Sequence, residues 1–171
     1  MIAPAAEVVA TIGEAVITRM LEETAGDIHW TLEKFRGMKY VGNDPHNAGA
    51  STPTWKTIAV KDWPYIENGI GDGIYAEFEI RYQYDGRSIG NITITNTKTN
   101  DAVGWGLDVD VQIMDDDAPY MRAGAPASFA AMKVQFYWKF NRFIGSDFIG
   151  ITDFTLYGDG TYAMSSRWTQ S

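Results

Sequence analysis

Between Gly73 and Thr95 the chain leaves itself few options. Ile74, Ala76, Phe78 and Ile80 alternate with Tyr75, Glu77, Glu79 and Arg81. A period of two sends the two sets to opposite faces of a strand. Asp85-Gly86 follows as a strong hairpin signal, and Ser88 to Thr95 returns with Ile92 and Ile94 on one face. An antiparallel hairpin with one apolar face is therefore the unit on which the rest must build.

The remaining sequence repeats that theme. Ile28, Trp30 and Leu32 alternate with His29, Thr31 and Glu33, which predicts a half-buried strand. Residues 42–54 are turn chemistry throughout, and Trp55 to Val60 reads as a short strand. Asp62 to Asp72 reads as irregular, and Asn96 to Gly104 as a polar loop. Trp105 to Met114 is a strand with Leu107, Val109, Val111 and Ile113 inward. Asp115 to Pro126 reads as loop. Ala130 to Phe143, Phe148 to Tyr157 and Thr161 to Trp168 read as strands, the last two joined by the turn Gly158-Asp159-Gly160. Several short strands at this spacing predict a sandwich or barrel.

One stretch breaks the pattern. Wound as a helix, residues 3–25 put Ala5, Val8, Val9, Ile12, Val16 and Met20 on one face, with Glu7, Thr11, Glu14, Thr18 and Glu22 opposite. Pro4 suits a first turn, and Thr24-Ala25-Gly26 supplies a stop. The expected fold is mainly β: one domain over residues 1–171, a single antiparallel β-sandwich over 27–169 with an N-terminal amphipathic α-helix over 3–25.

Composition narrows the function. The chain of 171 residues carries a net charge of −8, which disfavours nucleic acid as a partner. It has no cysteine, so disulfides, thiol nucleophiles and cysteine-held metals are excluded. No apolar run reaches the roughly 20 residues of a transmembrane helix. The N-terminus lacks the basic start and apolar centre of a signal peptide.

Chemistry is sparse. His29 and His46 are the only histidines, and neither stands in a metal spacing. Asp108 and Asp110 share a strand face, and Asp115, Asp116 and Asp117 follow; a solvated acidic edge accounts for them without a metal. Glu77 and Glu79 suit a solvent face as well as they suit acid–base work. There is no phosphate-cradling glycine loop and no GxSxG. The expectation is a protein that is not an enzyme, with no catalytic residues, metal or cofactor. Aromatics make up 13% of the chain. Trp55, Trp63, Tyr65, Trp105, Tyr120, Tyr137 and Trp138 suit either a core or a surface that takes a choline headgroup or a sugar.

The order of these features resembles the actinoporins, pore-forming cytolysins related in fold to fungal fruit-body lectins. AAEVVATIGEAVITRMLEETAG resembles their mobile helix, and GIYAEFEIRYQYDGRSIGNITI resembles their strand, tight hairpin and return strand. NTKTNDAVGWGLDVDV is similar to the headgroup loop and the strand after it, and LYGDGTYAMSSRW to the last hairpin. Unlike that family's loop, Asn96 to Gly104 holds no aromatic residue and no proline, and the family's Arg-Gly-Asp is absent.

The resemblance implies a toxin that is secreted and then acts at a target-cell membrane. Its sandwich docks on membrane lipid, sphingomyelin or another phosphocholine headgroup, with Trp105 and Tyr120 as lipid- or ligand-binding residues. The helix then inserts through Val8, Val9, Ile12, Val16 and Met20, and Glu7, Glu14 and Glu22 line the pore of a homo-oligomer on the membrane. A helix from Pro4 to about Thr24 is about 30 Å long, close to the hydrocarbon thickness. Two readings compete: a lectin-like module that binds a glycan or other ligand with the helix as a packed cap, and a structural subunit that self-assembles through β edges.

Overall fold

The computed structural model describes residues 28–61, 66–67, 73–102, 105–120, 128–142 and 147–170. The helix expected over 3–25, and with it Val8, Val9, Ile12, Val16, Met20, Glu7, Glu14 and Glu22, lies outside the described residues.

The described chain is mainly β. Its strands are β1 (Ile28–Leu32), β2 (Phe35–Lys39), β3 (Thr54–Lys61), β4 (Ile66–Glu67), β5 (Gly73–Tyr84), β6 (Ile89–Asn100), β7 (Trp105–Tyr120), β8 (Phe129–Arg142), β9 (Phe148–Tyr157) and β10 (Tyr162–Gln170). One sheet runs β1-β7-β8-β9-β10, and the other runs β2-β6-β5-β3, with β4 also on β5. Two sheets over one core, with no closed barrel, agree with a β-sandwich.

Alternation sorts each strand. On β5, Ile74, Ala76, Phe78, Ile80 and Tyr82 are at most 1% exposed; on β8, Met132, Val134, Phe136, Trp138 and Phe140 are at most 2%. The two inner faces meet in rings. Phe78 lies 5.7 Å from Phe136 and 5.8 Å from Trp138, and Phe136 lies 5.9 Å from Phe154. Gly150 faces this core opposite Trp168, where a Cβ would come within 2.2 Å of the indole. The missing side chain makes room for Trp168 to stack 6.4 Å from Trp138.

The Asp85-Gly86 turn sews the sheets together at one end. Asp85 Oδ1 accepts from the N–H of Arg87 (3.0 Å) and of Ser88 (2.6 Å). Gly86 adopts φ +100°, a region a side chain disfavours. Its N–H donates to Gly158 O at 2.9 Å, and Ala130 N–H donates to Arg87 O at 2.8 Å.

Several sequence expectations need correction. The sandwich is not wholly antiparallel, because β1 pairs with β7 in parallel, Ile28 opposite Leu107 and Leu32 opposite Val111. No hairpin joins these distant strands, so no short turn imposes the antiparallel sense. Asn96–Asn100 is strand rather than loop, held to β5 by pairs such as Phe78–Asn96 and Ala76–Thr99. Asp115–Tyr120 likewise extends β7, with Asp115 opposite Met132. β2 had no distinct sequence signal; Gly37, at φ +96°, sits in a bulge that breaks its alternation.

Candidate functional site

The same alternation that fills the core sends a second set of side chains to the outer face of the β1-β7-β8-β9-β10 sheet. Register lines them up in rows across the strands. One row runs Thr31, Asp110, Tyr137, Ile151, Arg167; beside it lie Gln112, Gln135, Asp153 and Ser165. A third runs His29, Asp108, Lys139, Ile149, Thr169. Strands about 4.8 Å apart make such a row about 19 Å across.

A solvent-facing sheet surface is ordinarily wet. Here the centre is not: Tyr137 is 6% exposed, Gln135 8% and Asp153 9%. These three are joined. Gln135 Nε2 donates to Asp153 Oδ1 at 2.5 Å, and Tyr137 O–H donates to Gln135 Oε1. Arg167, mostly exposed, reaches Asp153 Oδ2 at 3.2 Å from the rim. Toward β1, Gln112 Nε2 donates to Asp110 Oδ2 at 3.1 Å, and Asn141 Nδ2 donates to Asp108 Oδ2 at 3.1 Å. Lys139 lies 4.0 Å from Asp147.

Electrostatics mark the same place. Burial pushes the Asp110 carboxyl above its ordinary value; the Gln112 bond opposes this and the Glu33 charge adds to it. Burial also raises the Tyr137 phenol, helped by the negative charges of Asp153 and Asp110 and opposed by Arg167. The result is a floor of hydrogen-bonding groups with a cationic and carboxylate rim.

The outer face of the other sheet differs. Thr57, Glu79, Arg81, Thr93 and Thr95 alternate outward there, and Trp55, 43% exposed, lies under the Arg81 guanidinium at 4.4 Å.

Of the residues singled out in the sequence, Asp108 and Asp110 do share this face. Trp105 does not reach any surface: it opens β7 on the core side and is 3% exposed, so the expected headgroup contact has no exposed ring there. Tyr120 ends β7 opposite Phe129. Asp115 pairs with Lys39 across the sheets. His46 is exposed, its N–H and Nδ1 both on Asp44 Oδ1, and those bonds lower the Asp44 carboxyl. Trp63 and Tyr65 lie outside the described residues. Among the described residues no three His, Asp or Glu side chains gather as metal donors.

Gln135, Asp153 and Arg167 were missed. Ala130 to Phe143 reads as one apolar strand, which hides that its odd-numbered positions, Lys133, Gln135, Tyr137 and Lys139, form a separate polar set. Splitting that run by parity would have exposed half of the site.

No family model, no curated protein and no solved structure matches the chain.

Proposed function

We propose that this protein is a non-enzymatic binding module that takes a polyhydroxylated ligand, a glycan, on the outer face of the β1-β7-β8-β9-β10 sheet. The observation that carries this reading is the joined polar floor of Tyr137, Gln135 and Asp153, withdrawn from water on a face that needs no burial. Burying polar groups is unfavourable unless they are bonded. A desolvated Asp110 beside them lowers stability rather than raising it. Groups of this kind, gathered on one surface, suit recognition of hydroxyls, which donate and accept at once. Arg167, mostly exposed, provides the rim that meets the ligand first.

The pore-forming reading adds to docking the insertion of residues 3–25, so its working part lies outside the described residues. One experiment addresses both. A glycan array is probed with the full chain and with Asp153→Asn and Tyr137→Phe, while dye release from sphingomyelin vesicles is followed in parallel. The expected outcome is saturable glycan binding, weakened at least about tenfold by either substitution: Tyr137→Phe removes the buried hydroxyl, and Asp153→Asn turns the oxygen that accepts from Arg167 into a donor. Binding to no glycan, together with leakage that vanishes when residues 1–25 are deleted, would overturn the module in favour of the pore former.

A further inference from the structure

Among the described residues both sheets end in edge strands, and three of the four are blunted. β1 is five residues long. β2 is equally short and carries a bulge, Arg36 and Lys39. β3 carries Lys56 and Lys61 and follows Pro53. These are the devices that keep an edge from pairing with another chain. β10 has none of them. It is nine residues long, its register to β9 is unbroken, it contains no proline, and its only charge, Arg167, is engaged by Asp153 of its own chain.

The hydrogen-bond phase tells which of its groups face outward. Tyr157 N–H donates to Thr161 O at 2.9 Å, and the register places these residues opposite each other. In an antiparallel ladder, alternate residues bond the neighbour. Ala163, Ser165, Arg167 and Thr169 therefore bond β9, while Tyr162, Met164, Ser166 and Trp168 turn their N–H and C=O groups away from it. The side chains of these four residues lie on the inner face of the sheet, where Tyr162 is 44% and Met164 61% exposed at its margin.

We propose that β10 is a self-association edge, which pairs antiparallel with β10 of a second copy across a two-fold axis at Ser165. In this register the outward-facing residues meet each other. Met164 stands opposite Ser166 of the second copy, and Tyr162 opposite Trp168. About eight backbone hydrogen bonds form, from four pairs of two each. Tyr162 gains an aromatic cross-strand partner, and Met164 is covered. Arg167 falls opposite Ala163 of the second copy, so the two cations stay apart. Each five-stranded sheet then continues into its copy, and the two polar outer faces lie side by side.

The absence of cysteine makes the register directly testable. The two Ser165 positions form a non-hydrogen-bonded pair with Cα atoms about 4.5 Å apart, within disulfide range. Ser165→Cys is compared under mild oxidation with Thr93→Cys, an exposed position on the other sheet, while wild-type mass is followed by light scattering across the micromolar range. The expected result is a concentration-dependent dimer, with Ser165→Cys cross-linking at least about tenfold faster than Thr93→Cys. Met164→Lys, a change at an exposed side chain, abolishes the dimer and, added to Ser165→Cys, removes the rate advantage. A wild type that stays monomeric would overturn the proposal, as would a dimer in which Ser165→Cys links no faster than Thr93→Cys. Neither readout involves a glycan, so the edge and the binding face stand or fall separately.

Discussion

Asp110 shows how a single residue can carry a cost that packing alone does not explain. Its carboxyl sits on a strand whose other face is core, half withdrawn from water, with Gln112 as a donor and Glu33 adding negative charge. The folded state holds its proton more tightly than the unfolded chain does. Its contribution to stability is therefore lost as pH rises from the ordinary value of 3.8 through the raised folded value, and the penalty is in full force at neutral pH. Asp110→Asn removes the charge and leaves an acceptor for Gln112. Thermal melts should show the variant slightly more stable at pH 7, on the order of 1–2 °C. The gap should close as pH falls below the ordinary carboxylate range, and a gap that widens on acidification would contradict the assignment. The shared face of Asp108 and Asp110 is legible in the sequence from the period of two. The burial of Tyr137 and Asp153 is not, because it depends on which strands flank them.

At the scale of elements, legibility follows how much of the pairing is local. The bounds of β5 are readable because apolar and polar residues alternate within it and the Asp85-Gly86 turn follows it; the end of β9 is readable from the Gly158-Asp159-Gly160 turn. The tail of β6 and the acidic end of β7 are not. Their composition is that of loops, and their extended state comes from partners supplied by β5 and β8. The Asp85-Gly86 turn is the most local element of all, and its aspartate is buried with two backbone donors on one oxygen. Asp85→Ala leaves both donors unsatisfied and should lower stability by about 2–3 kcal/mol. In urea titration the midpoint should fall with the slope unchanged. A loss under 0.5 kcal/mol would mean that the Gly86–Gly158 and Arg87–Ala130 bonds hold the turn without it, a threshold set by ordinary surface substitutions of about that size.

At the scale of the molecule, both sheets share one body of side chains, so neither has a core of its own. Phe136 touches Phe78 of the opposite sheet as well as Trp138 and Phe154 of its own. Unfolding should therefore be one transition. Far-UV circular dichroism and tryptophan fluorescence, to which the buried Trp105 and Trp138 contribute, should share a midpoint, and Phe136→Ala should shift both together by about 3–5 kcal/mol. Two separated midpoints would show that the sheets melt independently.

The parallel pairing of β1 with β7 also bears on the order of assembly. β1 precedes every other described strand, yet its partner residues run from Leu107 to Val111. During synthesis, Ile28, Trp30 and Leu32 leave the ribosome long before the strand that receives them exists. The β5–β6 hairpin, closed by its own turn, has no such wait. The opening strand is thus added late to a partly built structure, and for that interval its apolar side chains are exposed to whatever else the growing chain meets.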